Sequence, residues 1–187
     1  MRKRLFTLLT ALTLCVSASA QKWSVQTNAL DWLALGTANA EVGMSVSRHF
    51  SIMAGGRYNP WELKTGDPEV IVRNQQRTAY IGVRYWTWYV NSGFWTGIKA
   101  QYLDFSNTGI WREALKEGRE GIGGGLSLGY TYMLGKHFNI EASAGAWAGK
   151  FKDYHFYSSP EKKHVREEGS KTCLYPDNPA ISFVYVF

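Results

Sequence analysis

The chain has 187 residues with 21 basic against 15 acidic side chains, a length that allows one domain and excludes a large multidomain assembly. Three of those basic residues sit in a segment read below as cleaved, which lowers the formal charge from +6 to +3 and removes any case for a nucleic-acid partner. Cys15 leaves with the same segment, so Cys173 stands alone and an intramolecular disulfide in the mature part is excluded.

Taken in chain order, the first element is an export signal. Arg2, Lys3 and Arg4 precede an apolar run over 5–16, and Ser17-Ala18-Ser19-Ala20 supplies an A-x-A cleavage site. The run is too short to cross a bilayer, so residues 1–20 read as a signal peptide and 21–187 as the mature domain. Leu14 before Cys15 is bulkier than lipoprotein processing normally accepts.

Beyond the signal no segment reaches eighteen uncharged apolar residues, and the dominant pattern is period-two alternation. In 121–134 the even positions carry Ile122, Leu126, Leu128, Tyr130, Tyr132 and Leu134, while the odd ones carry Gly, Ser or Thr up to Thr131. The same contrast sets Val42, Met44 and Val46 against Glu41, Gly43 and Ser45, and Ile140, Ala142 and Ala144 against Glu141, Ser143 and Gly145. Successive strand residues face opposite sides. A water-facing sheet would carry long charged side chains on its polar side; small residues there suit a narrow lumen, with the apolar side in lipid.

The pattern predicts eight strands at about 22–31, 38–47, 49–58, 78–89, 94–104, 121–134, 137–148 and 178–187, each near the ten residues that a tilted membrane strand needs. The fold class expected is all-β: an eight-stranded antiparallel transmembrane β-barrel behind an N-terminal signal peptide, located in the outer membrane. Connections after the second, fourth and sixth strands are short, and those over 59–77, 105–120 and 149–177 are long, the asymmetry of periplasmic turns and outer loops. The link at 32–37 is a short exception on the outer side. Segments 111–120 and 161–171 mix both charges; each allows one helical turn, and the second reads as a solvated, mobile loop tip. Trp23, Trp61, Tyr89, Phe94, Tyr102 and Phe187 fall near strand ends, where interfacial aromatics belong. The chain closes on Phe183, Tyr185 and Phe187 in alternate positions, an ending that resembles the signal read by outer-membrane assembly machinery.

Five charges fall mid-strand: Glu41, Arg57, Arg84, Lys99 and Glu141. A lipid-facing Arg or Lys near the midplane costs about 2–4 kcal/mol, so Arg84 and Lys99 are expected to point inward. An eight-stranded barrel is only wide enough to be filled by side chains, and buried charges must be paired. The expected site is therefore a lumen charge network that plugs the barrel; a proton or ion path is the alternative.

No catalytic, cofactor or metal site is expected. His155, Ser158 and Glu161 carry hydrolase residue types, but their spacing matches no motif that would position a base on the serine. His49, His137, His155 and His164 lack metal-ligand spacing. Gly121, Gly123, Gly124 and Gly125 depart from G-x-G-x-x-G at Leu126, and small lumen-facing residues explain them better.

Several short motifs occur in a familiar order: Thr27-Asn28-Ala29-Leu30, Tyr58-Asn59-Pro60-Trp61, Arg84-Tyr85-Trp86, Gly129-Tyr130, Phe138-Asn139-Ile140-Glu141-Ala142, and Pro179-Ala180-Ile181-Ser182 running to Phe187. Together they resemble a domain-of-unknown-function family of small eight-stranded outer-membrane barrels from anaerobic Gram-negative bacteria of the gut and mouth. The resemblance covers nearly the whole mature chain. It implies a barrel and, because members often lie in gene clusters for fimbriae built from lipoprotein pilins, a surface-assembly accessory role with no known activity. Many members pair cysteines in the last long loop, and this chain has only Cys173 there. The partners expected are outer-membrane lipid, the assembly machinery and a surface or fimbrial protein. A narrow pore and a lipid-modifying enzyme are the competing expectations.

Overall fold

The structure, a computed structural model, describes residues 23–34, 36–64, 71–108, 115–157 and 165–187. The expected signal peptide lies outside these residues, as do Ser158, Glu161 and His164. The elements are β1 (Trp23–Asn28), α1 (Ala29–Leu33), β2 (Ala38–Ser45), β3 (Phe50–Asn59), β4 (Glu62–Lys64), β5 (Ile71–Trp86), β6 (Gly93–Asn107), β7 (Leu115–Met133), β8 (Phe138–Tyr157) and β9 (Val165–Val186).

Eight of these strands close into an antiparallel barrel, in which β3 pairs with β5 and β9 returns to β1. The three-residue β4 stands apart as a hairpin arm on Ile71–Arg73 of β5. Closure leaves a measurable stagger. One row of paired residues runs Val25, Val42, Ala54, Ile81, Ala100, Gly124, Ala148, Leu174, yet Val25 itself pairs with Tyr185. The row thus returns eleven residues further along β9, a shear that tilts the strands by about 45° from the barrel axis.

Alternation sorts the side chains. In β6 every odd position from Gly93 to Gln101 is buried and every even one is exposed, so Trp95 and Lys99 point inward while Phe94 and Ile98 point out. β5, whose two phases are both apolar, is oriented as the charge argument requires: Arg84 and Trp86 are inside, and Ile81, Val83 and Tyr85 outside. Glycine supplies room where strands approach. A Cβ on Gly123 would lie 2.2 Å from Ala148 O and 2.5 Å from Gly149 Cα, so β7 and β8 meet there only because the residue is glycine.

Short turns close one end, the turn end. Two of the three share a basic-His-Phe pattern, Arg48-His49-Phe50 and Lys136-His137-Phe138, and a geometry. His49 Nδ1 lies 3.0 Å from Trp86 O and His137 Nδ1 lies 2.7 Å from Val186 O. A carbonyl only accepts, so in each ring Nδ1 carries the proton. Phe50 packs on Tyr85 and Phe138 on Tyr185, at 5.3 and 4.9 Å between centroids. The third turn uses Asn91 (φ 65°) and Gly93 (φ 74°), where the left-handed backbone favours these residue types.

The opposite, open end departs from expectation. Strand β1 stops at Asn28, and residues 29–33 form a helical turn whose N-cap is the Asn28 side chain, accepting from Leu30 N at 3.1 Å. Much of the expected long loops is strand: β6 runs to Asn107, β7 starts at Leu115, β8 runs to Tyr157 and β9 starts at Val165. Neither 115–120 nor 165–171 is helical or a loop tip; both lie in paired strand. The physical reason is an inversion of pattern, seen along β8. In β8, Ala142, Ala144, Ala146 and Ala148 face out against Glu141, Ser143 and Gly145 inside. Past that point Lys150 and Lys152 face out against Trp147 and Phe151 inside. The strand continues while its apolar face changes sides, so a search for one contrast ends early.

The inverted part has its own core of Trp147, Phe151 and Tyr154, packed with Leu103, Phe105, Phe156, Cys173 and Tyr175. Phe105 meets Phe151 edge-on at 5.4 Å, and Trp147 stacks on Tyr175 at 6.4 Å.

Candidate functional site

All five mid-strand charges lie inside the barrel, in two linked tiers. Nearer the turn end, Glu141 is 1% exposed. Its Oε2 accepts from Thr131 Oγ1 at 2.7 Å, Trp95 Nε1 at 3.1 Å and Arg84 Nη1 at 3.4 Å. Arg84 reaches across the lumen to Glu41 Oε1 at 2.7 Å, and its guanidinium lies 4.0 Å above the Trp95 ring. Glu41 also accepts from Gln26 Nε2 at 3.0 Å and Tyr80 O–H at 2.9 Å. Beneath this tier Trp86 Nε1 donates to Ser51 Oγ at 2.9 Å, and the Trp86 and Trp95 rings pack at 6.0 Å. Two indoles thus fill the lumen towards the turn end.

Nearer the open end, Lys99 pairs with Asp177 and lies 4.7 Å from the centre of the Tyr80 ring. Arg57 joins Asp177 at 3.7 Å to Asp31 at 2.9 Å. Tyr80 connects the tiers, donating to Glu41 below and facing Lys99 above. The sequence argument found three cations and two carboxylates; the structure adds Asp31 and Asp177, so the seven groups sum to −1.

Both missed carboxylates have local causes. Asp31 is carried inward by α1, in a stretch that alternation assigned to strand. Asp177 stands just before a bulge, where Ser143 pairs with Ala180 but Gly145 pairs with Asp177. The extra β9 residue reverses the inward phase, so Ser182, Val184 and Val186 are buried at even positions while Asp177 points inward at an odd one. Pro176 and Pro179 on either side of Asp177 were the available signal, since proline in a sheet marks edges and bulges.

The network leaves a polar void of about 50 Å³ bordered by Asn28, Glu41, Arg57, Arg84, Lys99 and Asp177, room for about two to four waters. Asn28 Nδ2 and Arg84 Nε border it without a protein hydrogen-bond partner among the described residues, and water suits both. Chemically the arrangement holds charge in place: each cation touches a carboxylate, and the carboxylates share donors.

The other expected residues are dispersed. Phe183, Tyr185 and Phe187 all face outward at the end of β9, and Phe187 N donates to Trp23 O at 2.9 Å across the closing seam. Trp23, Trp61, Tyr89 and Phe94 are exposed near strand ends, whereas Tyr102 is half-buried and lies within β6, which runs on to Asn107. Trp32 and Leu33 on α1 add to the exposed set at the open end. His155 sits on β8 with Nε2 3.4 Å from Glu168 Oε1, while Ser158 and Glu161 lie outside the described residues. Also at the open end, Lys152 Nζ donates to Glu120 Oε2 at 3.0 Å, and that bond raises the ammonium above its ordinary range. Among the described residues no group of three or more His, Cys, Asp or Glu could hold a metal.

A family model described as "Protein of unknown function (DUF3575)" matches residues 5–187, in agreement with the expectation of a domain of unknown function. No curated protein matches the chain.

Proposed function

The chain belongs to the DUF3575 family of proteins of unknown function, and from that premise we propose a closed outer-membrane barrel with a structural role, anchoring or helping to assemble a cell-surface structure such as a fimbria. The observation that carries the reading is the plugged lumen: seven interlocked charges and two indoles leave about 50 Å³ free. A conducting barrel needs a continuous water path, and eight strands provide little width for one.

The outward face supports the membrane part of the reading. Ile81, Ile98, Ile122, Leu126 and Leu128 are each about three-fifths exposed or more, an apolar surface that a water-soluble domain would cover. Exposed aromatics lie at both ends of this belt, with Trp23, Tyr85, Phe94 and Phe138 at the turn end and Trp32, Tyr58 and Trp61 at the open end. On this reading the turn end faces the periplasm. The inverted, charge-coated strands then stand outside as the contact surface.

Two measurements test the proposal. The purified whole chain in planar bilayers is expected to give no steady conductance, and a conductance altered by Arg84→Ala would sink the plug. Shortening the β6–β7 hairpin beyond Tyr102 and Ile122 and the β8–β9 hairpin beyond Lys150 and Thr172 is expected to abolish co-purification of surface protein while leaving a heat-modifiable barrel. Unchanged co-purification would remove the anchoring role.

A further inference from the structure

Among the described residues, β9 pairs with a strand on both sides only along Ser182–Val186, where β1 runs beside it. Just beyond, Ile181 N donates to Asn28 Oδ1 at 3.1 Å, and α1 lies against the strand. Further towards the open end β9 keeps β8 on one side, and no strand pairs with its other side among the described residues. Part of this edge is irregular: the register shifts between Phe151 and Tyr154 and again at Phe156, and Gly169 has φ 125°. One stretch is regular, from Lys171 opposite Phe151 to Pro176 opposite Ala146.

The direction of its backbone groups follows from the ladder. Leu134 N donates to Phe138 O, and Val186 N donates to His137 O. Even residues of β8 therefore bond β7 and odd ones bond β9. The β8 register with β7 is unbroken from Asn139 to Lys150, so Trp147 and Gly149 bond Tyr175 and Cys173. The N–H and C=O groups of Thr172 and Leu174 consequently point to the open side.

We infer that the β9 edge at Lys171–Pro176 is a strand-addition site, which takes an extended segment of another protein with apolar residues at alternate positions. This rests on the surface role proposed above and assigns it a location. Main-chain groups of an added strand would pair with Thr172 and Leu174. Every second side chain would lie beside Cys173 and Tyr175, which are half-buried where Trp147 and Phe151 behind them are fully buried. Apolar side chains there extend the aromatic core over its uncovered flank. Pro176, with no N–H, ends the site on the membrane side.

A second copy is the wrong shape for the same edge. Two barrels in one membrane are related by an axis along its normal, so strands tilted by about 45° would cross at close to a right angle and could not form a ladder.

The test uses the whole chain in lipid nanodiscs, with empty nanodiscs as blank, and a fluorescent acetyl-Thr-Val-Thr-Val-Thr-Val-amide probe read by anisotropy. Saturable binding is expected, weakened tenfold or more by Thr172→Pro, which removes one free-edge N–H and leaves the β8 ladder intact. The same peptide N-methylated at alternate residues, which needs no altered protein, is expected not to bind. Equal binding of the methylated peptide, an unchanged affinity for Thr172→Pro, or no saturable binding to a heat-modifiable barrel would overturn the inference. So would dimers of the chain that Thr172→Pro abolishes. A failure of the underlying surface role shows differently, as conductance in bilayers or as co-purification that survives loss of the hairpins.

Discussion

At the scale of single residues, Arg84 is the hinge of the interior, bridging Glu41 and Glu141 over the Trp95 ring. Removing one member of a buried ion pair strands the other, at a cost of about 3–5 kcal/mol. Arg84→Ala is therefore expected to lower the urea midpoint of the lipid-embedded protein by that equivalent. A double-mutant cycle with Glu141→Ala should give a coupling of about 0.5–3 kcal/mol; additive effects would show that the pair contributes nothing as a pair. Two neighbouring glycines give a sharper contrast. Gly123 has backbone within 2.5 Å of where a Cβ would stand, whereas the nearest atom to one on Gly124 is Lys99 O at 3.5 Å. Gly123→Ala should destabilise by about 1–3 kcal/mol and Gly124→Ala by less than about 0.5 kcal/mol, compared in the same unfolding assay. Equal effects would contradict the close approach of β7 and β8.

At the scale of elements, the twin turns are the device most open to test. Each puts a histidine N–H on the carbonyl at the end of a neighbouring strand and a phenylalanine on a cross-strand tyrosine. His137 acts beside the β9 terminus, which carries the closing seam with β1. Loss of that bond in His137→Ala is expected to remove about 1 kcal/mol and to raise amide exchange at Val186 and Phe187 before exchange at mid-barrel residues. Uniform exchange would show that the turn does not hold the seam. The elements also show what was legible in the sequence. Glu41, Arg57, Arg84, Lys99 and Glu141 could be placed inside because a charge in the apolar phase is too costly. The strands were legible only while small inner residues alternated with large outer ones. Beyond Ala148 the contrast reverses, and Lys150, Phe151 and Lys152 read as loop although they continue the ladder. Asp31 and Asp177 escaped for a related reason: a helical turn and a bulge each reset the phase, and periodicity carries no memory across such a reset.

At the scale of the whole molecule, two environments are joined end to end. One half is apolar outside and charged within; the other is charged outside and aromatic within. A single solvent cannot suit both, and the boundary near Ile122, Lys150 and Leu174 is where the outer membrane surface belongs in this account. Placing a charge below that boundary, as in Leu126→Arg, should cost about 2–4 kcal/mol in lipid, while Lys150→Arg above it should cost nothing measurable. The most direct measurement is gel mobility of boiled against unboiled protein taken from the outer-membrane fraction. The account predicts a clear shift in that fraction, the mark of a barrel that stays folded in detergent until heated. Protein found in the soluble periplasm, with no shift, would contradict it.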